Sequence, residues 1–413
     1  MIKFVLAQSD IALLMNKIKS IFEVEGYKTH LQKLVRICMQ DGLVSFSSMG
    51  QNMGEALLKL DKDSKFIDGE VVCCFDDLYG WIKSQKGSHV ALNFKESKNK
   101  HSVGTNSGDS EKDENSDIFL VGKVHVVSKD KSGNASKWNL DCFEVINNRK
   151  INFSKITEKF IDREVFSCQS DVLLSACKKV STCSKTHNVY SNLCFHNKGN
   201  LSISCTDSIR CAIGKVKQAT VFDNFNTEFL VNSSHIVKIL NGIRKQNLRF
   251  FHFKEKNCLF IIGEDFNCRL ILPPIDVVKQ YPNVFILDSL PYDKTFFANK
   301  VLLKNSVSPL KQVNSTCVAL KVNSGETTCI LKAMSEYGKS PMTSMINIDI
   351  SENNFSSVLA IDHLIDVLGV ITGESIQLLI NKKVVMMKDR DDDDFSYFTM
   401  CISNPIYKDF LEG

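Results

Sequence analysis

A few stretches of this sequence carry residue types and spacings that could do chemistry. AMSEYGKS (333–340) fits a permissive phosphate-loop pattern, with Ala in the first Gly place. That chemistry needs a strand before the loop and a helix after it, so that backbone N–H groups and the helix N-terminus cradle phosphate. Pro341 could open a helix, but MTSMINIDIS alternates as a strand does, and one glycine stands where such loops carry more. SACK (175–178) matches a Ser-x-x-Lys nucleophile pattern, yet it lies mid-helix with no partner motif. DRDDDD (389–394) could hold a divalent cation or form a solvated hairpin tip; consecutive Asp residues in a tip seldom converge on one ion, which favours the turn. The 15 cysteines are scattered through apolar segments, with no CxxC pair and no Cys/His zinc spacing. They read as small buried hydrophobes of a reducing cytosol. No paired carboxylates and no Cys/His couple stand out. The expectation is a binding scaffold and no enzyme, with no cofactor and no metal.

Charge and length set the frame for those residues. The chain has 413 residues, 43% hydrophobic and 24% charged, with a net charge of +4: two or three globular domains and a weak bias toward an anionic partner. It contains no run of 18 apolar residues, so no membrane helix is expected. MIKFVLAQSDIALL lacks a basic n-region and reads as a first strand and helix, not a signal peptide.

The positioning elements repeat. AQSDIALLMNKI (7–18) has a near twin in CQSDVLLSACKKV (168–180), with Gln-Ser-Asp recurring 161 residues on. Ser9 and Asp10 are cap types ahead of a stripe of Ile11, Leu14, Met15, Ile18 and Ile21; Ser170 and Asp171 precede Val172, Leu173, Ala176, Cys177 and Val180. A fainter third copy spans 287–305, with Asp293 expected at the cap and Phe297 and Val301 on the stripe. A second kind of helix recurs in VVCCFDDLYGWI (71–82), FLVNSSHIVKIL (229–240) and VLAIDHLIDVL (358–368). Between helices lie alternating strand-like runs joined by tight turns (HNKGN, KEKN, NKK). The fold class is therefore α+β: three tandem units, each with two helices packed on antiparallel sheets. The boundaries fall at 1–162, 163–290 and 291–413, with a polar insertion at 97–117 too poor in apolar residues to order itself, expected as a mobile hairpin insertion in the first unit.

These repeats resemble the bacterial sliding clamp, the beta subunit of DNA polymerase III, over nearly the whole chain. The likeness is strongest in VYSNLCFHNKGNLSISCTDSIRCAIGKV (189–216), where the family's Thr-Asp-Gly-His-Arg-Leu-Ala stands as Thr206, Asp207, Ser208, Ile209, Arg210, Cys211 and Ala212. FNCRLILPPIDVVKQYPNV resembles the stretch leading into the third unit, FFANKVLLKN (296–305) its first helix, and SYFTMCI (396–402) its last strand. Ser208 and Ile209 replace the family's Gly and His, Cys401 replaces a Pro, and the chain runs on to Gly413.

The resemblance implies a DNA sliding clamp, a processivity factor of the cytoplasm. It would form a head-to-tail homodimeric ring around double-stranded DNA and bind polymerase and clamp loader through short linear motifs. It implies a DNA-facing set: Lys17, Lys19, Lys178, Lys179, Lys238, Arg244, Lys245, Lys300 and Lys304 on helices, with Lys28 and Lys185 in loops. Ordinary solvated lysines are the plainer reading of each alone. It implies a peptide pocket of Leu193, Thr206, Ser208, Ile209, Arg210, Cys211, Pro282, Leu287, Val384, Phe398, Thr399, Met400, Cys401 and Ile402, where sheet core is the alternative and Arg210 is either a ligand-orienting group or one half of a salt bridge. Leu302 and Leu303 align with dimer-interface positions, or form the buried end of their helix. A clamp-like interaction module that closes no ring is the rival function.

Overall fold

The computed structural model describes residues 3–25, 33–50, 52–61, 66–85, 89–102, 118–129, 132, 134–145, 151, 153–184, 188–313, 315–334, 341–349, 354–381 and 383–412. The chain forms two compact units. Unit 1 comprises Met1–Asp171, Phe222–Asn224 and Ser234–Leu272; unit 2 comprises Val172–Val221, Phe225–Ser233 and Pro273–Gly413.

In unit 1 the strands lie in the order Lys3–Ala7, His89–Ser102, Ile118–Lys129, Ala135–Val145, Gly69–Cys74, Leu34–Gln40, Leu43–Ser48, Met53–Lys59, Phe266–Ile271, Cys258–Ile262, Asn247–Phe253, Glu164–Gln169. Strands of the first two sequence repeats join here, with Phe266 opposite Ala56. Helix Gln8–Glu25 buries Ile11, Leu14, Met15, Ile18 and Ile21, the whole stripe read from its spacing. Helix Phe75–Ser84 buries Phe75, Leu78 and Ile82 and carries Asp76 and Asp77 in its first turn, where the helix dipole favours them. The KEKN turn is a short 3-10 segment closed by Asn257 at φ 44°, a left-handed position that Asn tolerates. The stem of the predicted insertion is paired as far as Ser102 opposite Phe119; residues 103–117 lie outside the described residues.

Unit 2 holds an 8-stranded antiparallel sheet, ordered Phe229–Asn232, Asn192–Asn197, Leu201–Thr206, Arg210–Val216, Phe395–Met400, Val384–Asp389, Ser375–Ile380, Lys294–Asn299. A 4-stranded sheet follows the order Pro341–Asn347, Thr328–Met334, Cys317–Val322, Phe355–Ala360. Arg210–Val216 and Phe395–Met400 are distant in sequence but lie side by side, with Arg210 opposite Thr399 and Cys211 opposite Phe398. Helix Ile361–Val370 buries Ile361, Leu364, Val367 and Leu368.

The third copy of the first helix starts later than its sequence suggests. Lys294–Asn299 is a strand, so Asp293 caps nothing and Phe297 lies in the sheet. The cap is Asn299, whose side chain accepts from the backbone N–H groups of Val301 and Leu302. Helix Lys300–Val307 then buries Leu303 and Val307 and leaves Val301 exposed. The β-favouring run TFFA takes the strand, and Asn outcompetes Asp because it stands at the strand's end. The phosphate-loop candidate fails on context. Its described flanks, Thr328–Met334 and Pro341–Asn347, are strands paired with each other, and 335–340 lie outside the described residues.

In the acidic hairpin tip the Asp389 carboxylate accepts from the N–H of Gly373 at 2.6 Å, while Asp393 pairs with Lys388 and Asp394 with Lys217. These carboxylates are occupied by the chain's own donors. All 15 cysteines are free thiols, Cys38 and Cys401 half-buried and the others buried. Among the described residues no helix is long and apolar enough to cross a membrane.

Candidate functional site

The site grows from the turn between strands Leu201–Thr206 and Arg210–Val216. Asp207 is the knot: its side chain is 4% exposed, and its Oδ1 accepts from the N–H groups of Ile209 (3.1 Å) and Arg210 (3.0 Å). Thr206 Oγ1 accepts from the N–H of Ser208 and donates to the carbonyl of Arg210. The turn drives Ser208 to φ 78°, a left-handed conformation that costs a non-glycine residue roughly 1–2 kcal/mol. This is the position at which the resembled motif has Gly.

Arg210 is anchored to its own chain through Nε and Nη1. Its Nε donates to Asp207 Oδ2 at 3.0 Å, and its Nη1 donates to Asp366 and, at 3.4 Å, to the Tyr397 hydroxyl. Burial alone would raise the Asp207 carboxyl; the N–H groups of Arg210 and Ile209 and the guanidinium outweigh it and hold Asp207 below the usual carboxylate range. Of the two sequence readings of Arg210, the salt bridge is the one observed.

Around this turn lies a cavity of about 320 Å³. Thr206, Ser208, Ile209, Arg210 and Cys211 form one wall, and Phe398, Thr399 and Met400 come from the neighbouring strand. Val384 comes from the next strand, and Pro282 with the 3-10 run Val284–Ser289 closes the far side. Ile209, Ile286 and Met400 are 46%, 61% and 46% exposed, an apolar rim on a polar-dotted pocket. His363 Nδ1 braces Thr399 Oγ1 at 2.9 Å.

The structure thus gathers most of the sequence-predicted pocket, and three residues fall outside its lining. Leu193 is fully buried, and alternation puts it on the face of its strand opposite Cys194. Cys401 accepts a hydrogen bond from Ser357, and Ile402 bonds Val358 and packs near Tyr407. The chain leaves the pocket after Met400 as the residues that follow dock on the 4-stranded sheet, where the Tyr407 hydroxyl bonds the Cys317 carbonyl. Sequence reasoning missed Tyr190, Asn283, Val284 and Ile286, which also line the cavity. The apolar positions flanking Leu287 were a usable signal for Val284 and Ile286; nothing in the sequence marks Tyr190.

The cationic residues divide. Lys17 is buried, its ammonium 2.5 Å from Asp265, so it presents no charge to a partner; its place beside the apolar stripe took it inward. Lys19 pairs with Glu23 and Lys238 donates to the Glu23 carbonyl. Lys178, Lys238, Arg244, Lys245 and Lys304 are exposed. Lys179 is half-buried near Asp392, and Lys300 donates to the carbonyl of Ile371. Lys28 and Lys185 lie outside the described residues. Leu303 is fully buried in its own helix packing and available to no second chain, whereas Leu302 is 47% exposed.

No protein-family model matches the sequence, and no curated protein matches it. Solved structures do. A sliding clamp from Pseudomonas aeruginosa, the DNA polymerase III beta subunit bound to griselimycin, aligns over 98% of this chain and 100% of its own at TM-score 0.75 and 14% identity. The Bacillus subtilis sliding clamp aligns over 98% and 99% at TM-score 0.75 and 11% identity. The Helicobacter pylori beta clamp bound to a DNA ligase peptide aligns over 97% and 100% at TM-score 0.73 and 12% identity. The α+β architecture is therefore that of the DNA sliding clamps, and its bacterial beta-subunit form is the one this chain resembles from end to end.

Proposed function

We propose that this protein is a DNA sliding clamp that encircles duplex DNA and tethers a replicative polymerase through the unit 2 pocket. The observation that carries the reading is the whole-length likeness to bacterial clamps, spanning 98% of this chain and all of the P. aeruginosa clamp. In this reading the chain comprises three clamp domains, 1–162, 163–290 and 291–413. Two chains close head to tail in the cytoplasm, with exposed Leu302 at the joint.

A sliding ring needs weak, sequence-blind phosphate contacts, because tight or base-specific ones would stall it. Lys19, Lys178, Lys179, Lys238, Arg244, Lys245, Lys300 and Lys304 are the groups assigned to that task, with Lys17 withdrawn. Clamp loader and polymerase share the pocket through short linear motifs, as the H. pylori clamp is bound to a DNA ligase peptide. The ligand is held chiefly by apolar burial against Ile209, Ile286, Leu287, Val384 and Met400, with the exposed Ser208 at the rim.

Primer extension on a singly primed circle, with clamp loader, ATP and polymerase, tests this function. Long products that require the protein, and that are lost with Ile209→Asp/Met400→Asp, are expected. Product lengths unchanged by adding the protein contradict it.

A further inference from the structure

Behind the pocket, three potential metal ligands share one sheet face. Cys194 and His196 are two apart on strand Asn192–Asn197, so their side chains point the same way. The neighbouring strand pairs Phe229 with Phe195, which brings Glu228, the residue just before it, opposite His196. Donor atoms of Cys194, His196 and Glu228, one from each, lie within 4.8 Å of one another, the one such group among the described residues. His196 Nδ1 is 3.1 Å from Glu228 Oε2. The other ring nitrogen, Nε2, is buried with no hydrogen-bond partner, in a residue that is 8% exposed. Nδ1 is the ring nitrogen that faces Glu228.

We propose that Cys194, His196 and Glu228 bind a single Zn²⁺-class ion, a thiolate–imidazole–carboxylate set with its fourth position on the solvent side. Sulfur and imidazole donors select zinc over magnesium or calcium, and three protein ligands with one open position is an established zinc arrangement. Fully buried Cys194 supplies the inner wall, while the Glu228 side chain, 46% exposed, supplies the rim and an entry path. The ion also has a mechanical consequence. The His196 ring packs edge-on against Phe285 at 4.3 Å, and Phe285 sits in the run Val284–Ser289 that walls the pocket. Metal at this point stiffens the strand pair against which that wall rests.

The test uses the full chain, stripped with a chelator and titrated with Co²⁺ as an optical stand-in for Zn²⁺. Expected are one ion per chain, a thiolate-to-cobalt charge-transfer band, and the strong visible bands of four-coordinate cobalt. Cys194→Ser removes the charge-transfer band, and His196→Gln and Glu228→Gln each weaken binding at least about tenfold, the loss typical of even an outer-shell partner. Cys401→Ser, a half-buried thiol outside the set, changes neither. Glu228→Gln is a rim substitution that keeps the fold even where Cys194→Ser does not. Absence of the thiolate band, its survival in a folded Cys194→Ser, or unchanged affinity in Glu228→Gln overturns the proposal.

Discussion

The cavity of unit 2 and that of unit 1 enclose similar volumes, about 320 and about 260 Å³, from different materials. The unit 1 cavity is walled by Ile151, Ile156, Phe160, Phe253, Cys258, Phe260 and Ile271 together with Lys256 and Arg269, with Phe253 edge-on to Phe160 and to Phe260 at 5.1 Å each. It lies among the Phe-rich cluster beneath the short helix Ser154–Lys159 and reads as a gap left by large rigid rings. The unit 2 cavity interleaves apolar walls with Thr206, Ser208, Asn283 and Thr399, and surrounds its mouth with exposed Ile209, Ile286 and Met400. Volume alone does not distinguish a docking site from a packing gap. A turn locked by its own hydrogen bonds, which presents its part of the lining in one fixed geometry, does.

The largest effect expected is at that turn. Arg210→Ala strips the partner from Asp207, whose side chain is 4% exposed, and should cost about 3–5 kcal/mol in denaturant unfolding. A loss under about 1 kcal/mol would mean that Arg210 is free to serve a ligand and that the turn does not depend on it.

Next comes an exchange of phenotypes between the cavities. Phe260→Ala in unit 1 should cost about 3 kcal/mol of stability, or somewhat more, and leave peptide capture intact. Ile209→Asp/Met400→Asp should leave stability within about 0.5 kcal/mol and weaken capture about 100-fold, roughly 2.8 kcal/mol. If Phe260→Ala also abolishes capture in a folded protein, the contrast between the cavities collapses.

Acid should weaken both units. Burial pushes His196 in unit 2 and His252 in unit 1 each down to about 4. Their folded pKa values lie below the unfolded value of about 6.5, so the unfolded chain binds more protons between those limits. The stabilisation is present above pH ~6.5 and lost as pH falls toward 4, on the order of 1–3 kcal/mol per histidine. His252→Gln should flatten this dependence for unit 1 and leave that of unit 2 in place, as read by unfolding at pH 7 and pH 5.

The smallest effect is a gain. Ser208→Gly relieves the left-handed strain at φ 78° and should add up to about 1 kcal/mol, because the strain released outweighs the entropy glycine brings to the unfolded chain. A loss above about 1 kcal/mol would show that the Ser208 side chain contributes more to the turn than its conformation costs.

These contrasts also mark what could be read from the sequence. The stripe of the first helix was legible in full, because 3.6-residue periodicity records which side faces the core. The pocket was legible where it follows two strands: Thr206 to Cys211 and Phe398 to Met400 are neighbours through strand pairing. It was not legible where a different contact redirects the chain, as at Cys401 and Ile402, which the docked C-terminal tail draws away. Lys17 is the instructive miss among the cations. A lysine beside an apolar stripe is outward-facing only until another segment supplies a carboxylate, and Asp265 is 248 positions further along the chain. Cys194, His196 and Glu228 were invisible for the same reason: strand register, not spacing, brings Glu228 to the other two.

Retention on closed circular DNA against the same DNA linearised tests the central claim most directly. The protein is loaded with a clamp loader and ATP, in salt high enough to suppress phosphate contacts. Protein that stays on circles and runs off linear ends is the expected result. Equal loss from both would contradict a topological clamp.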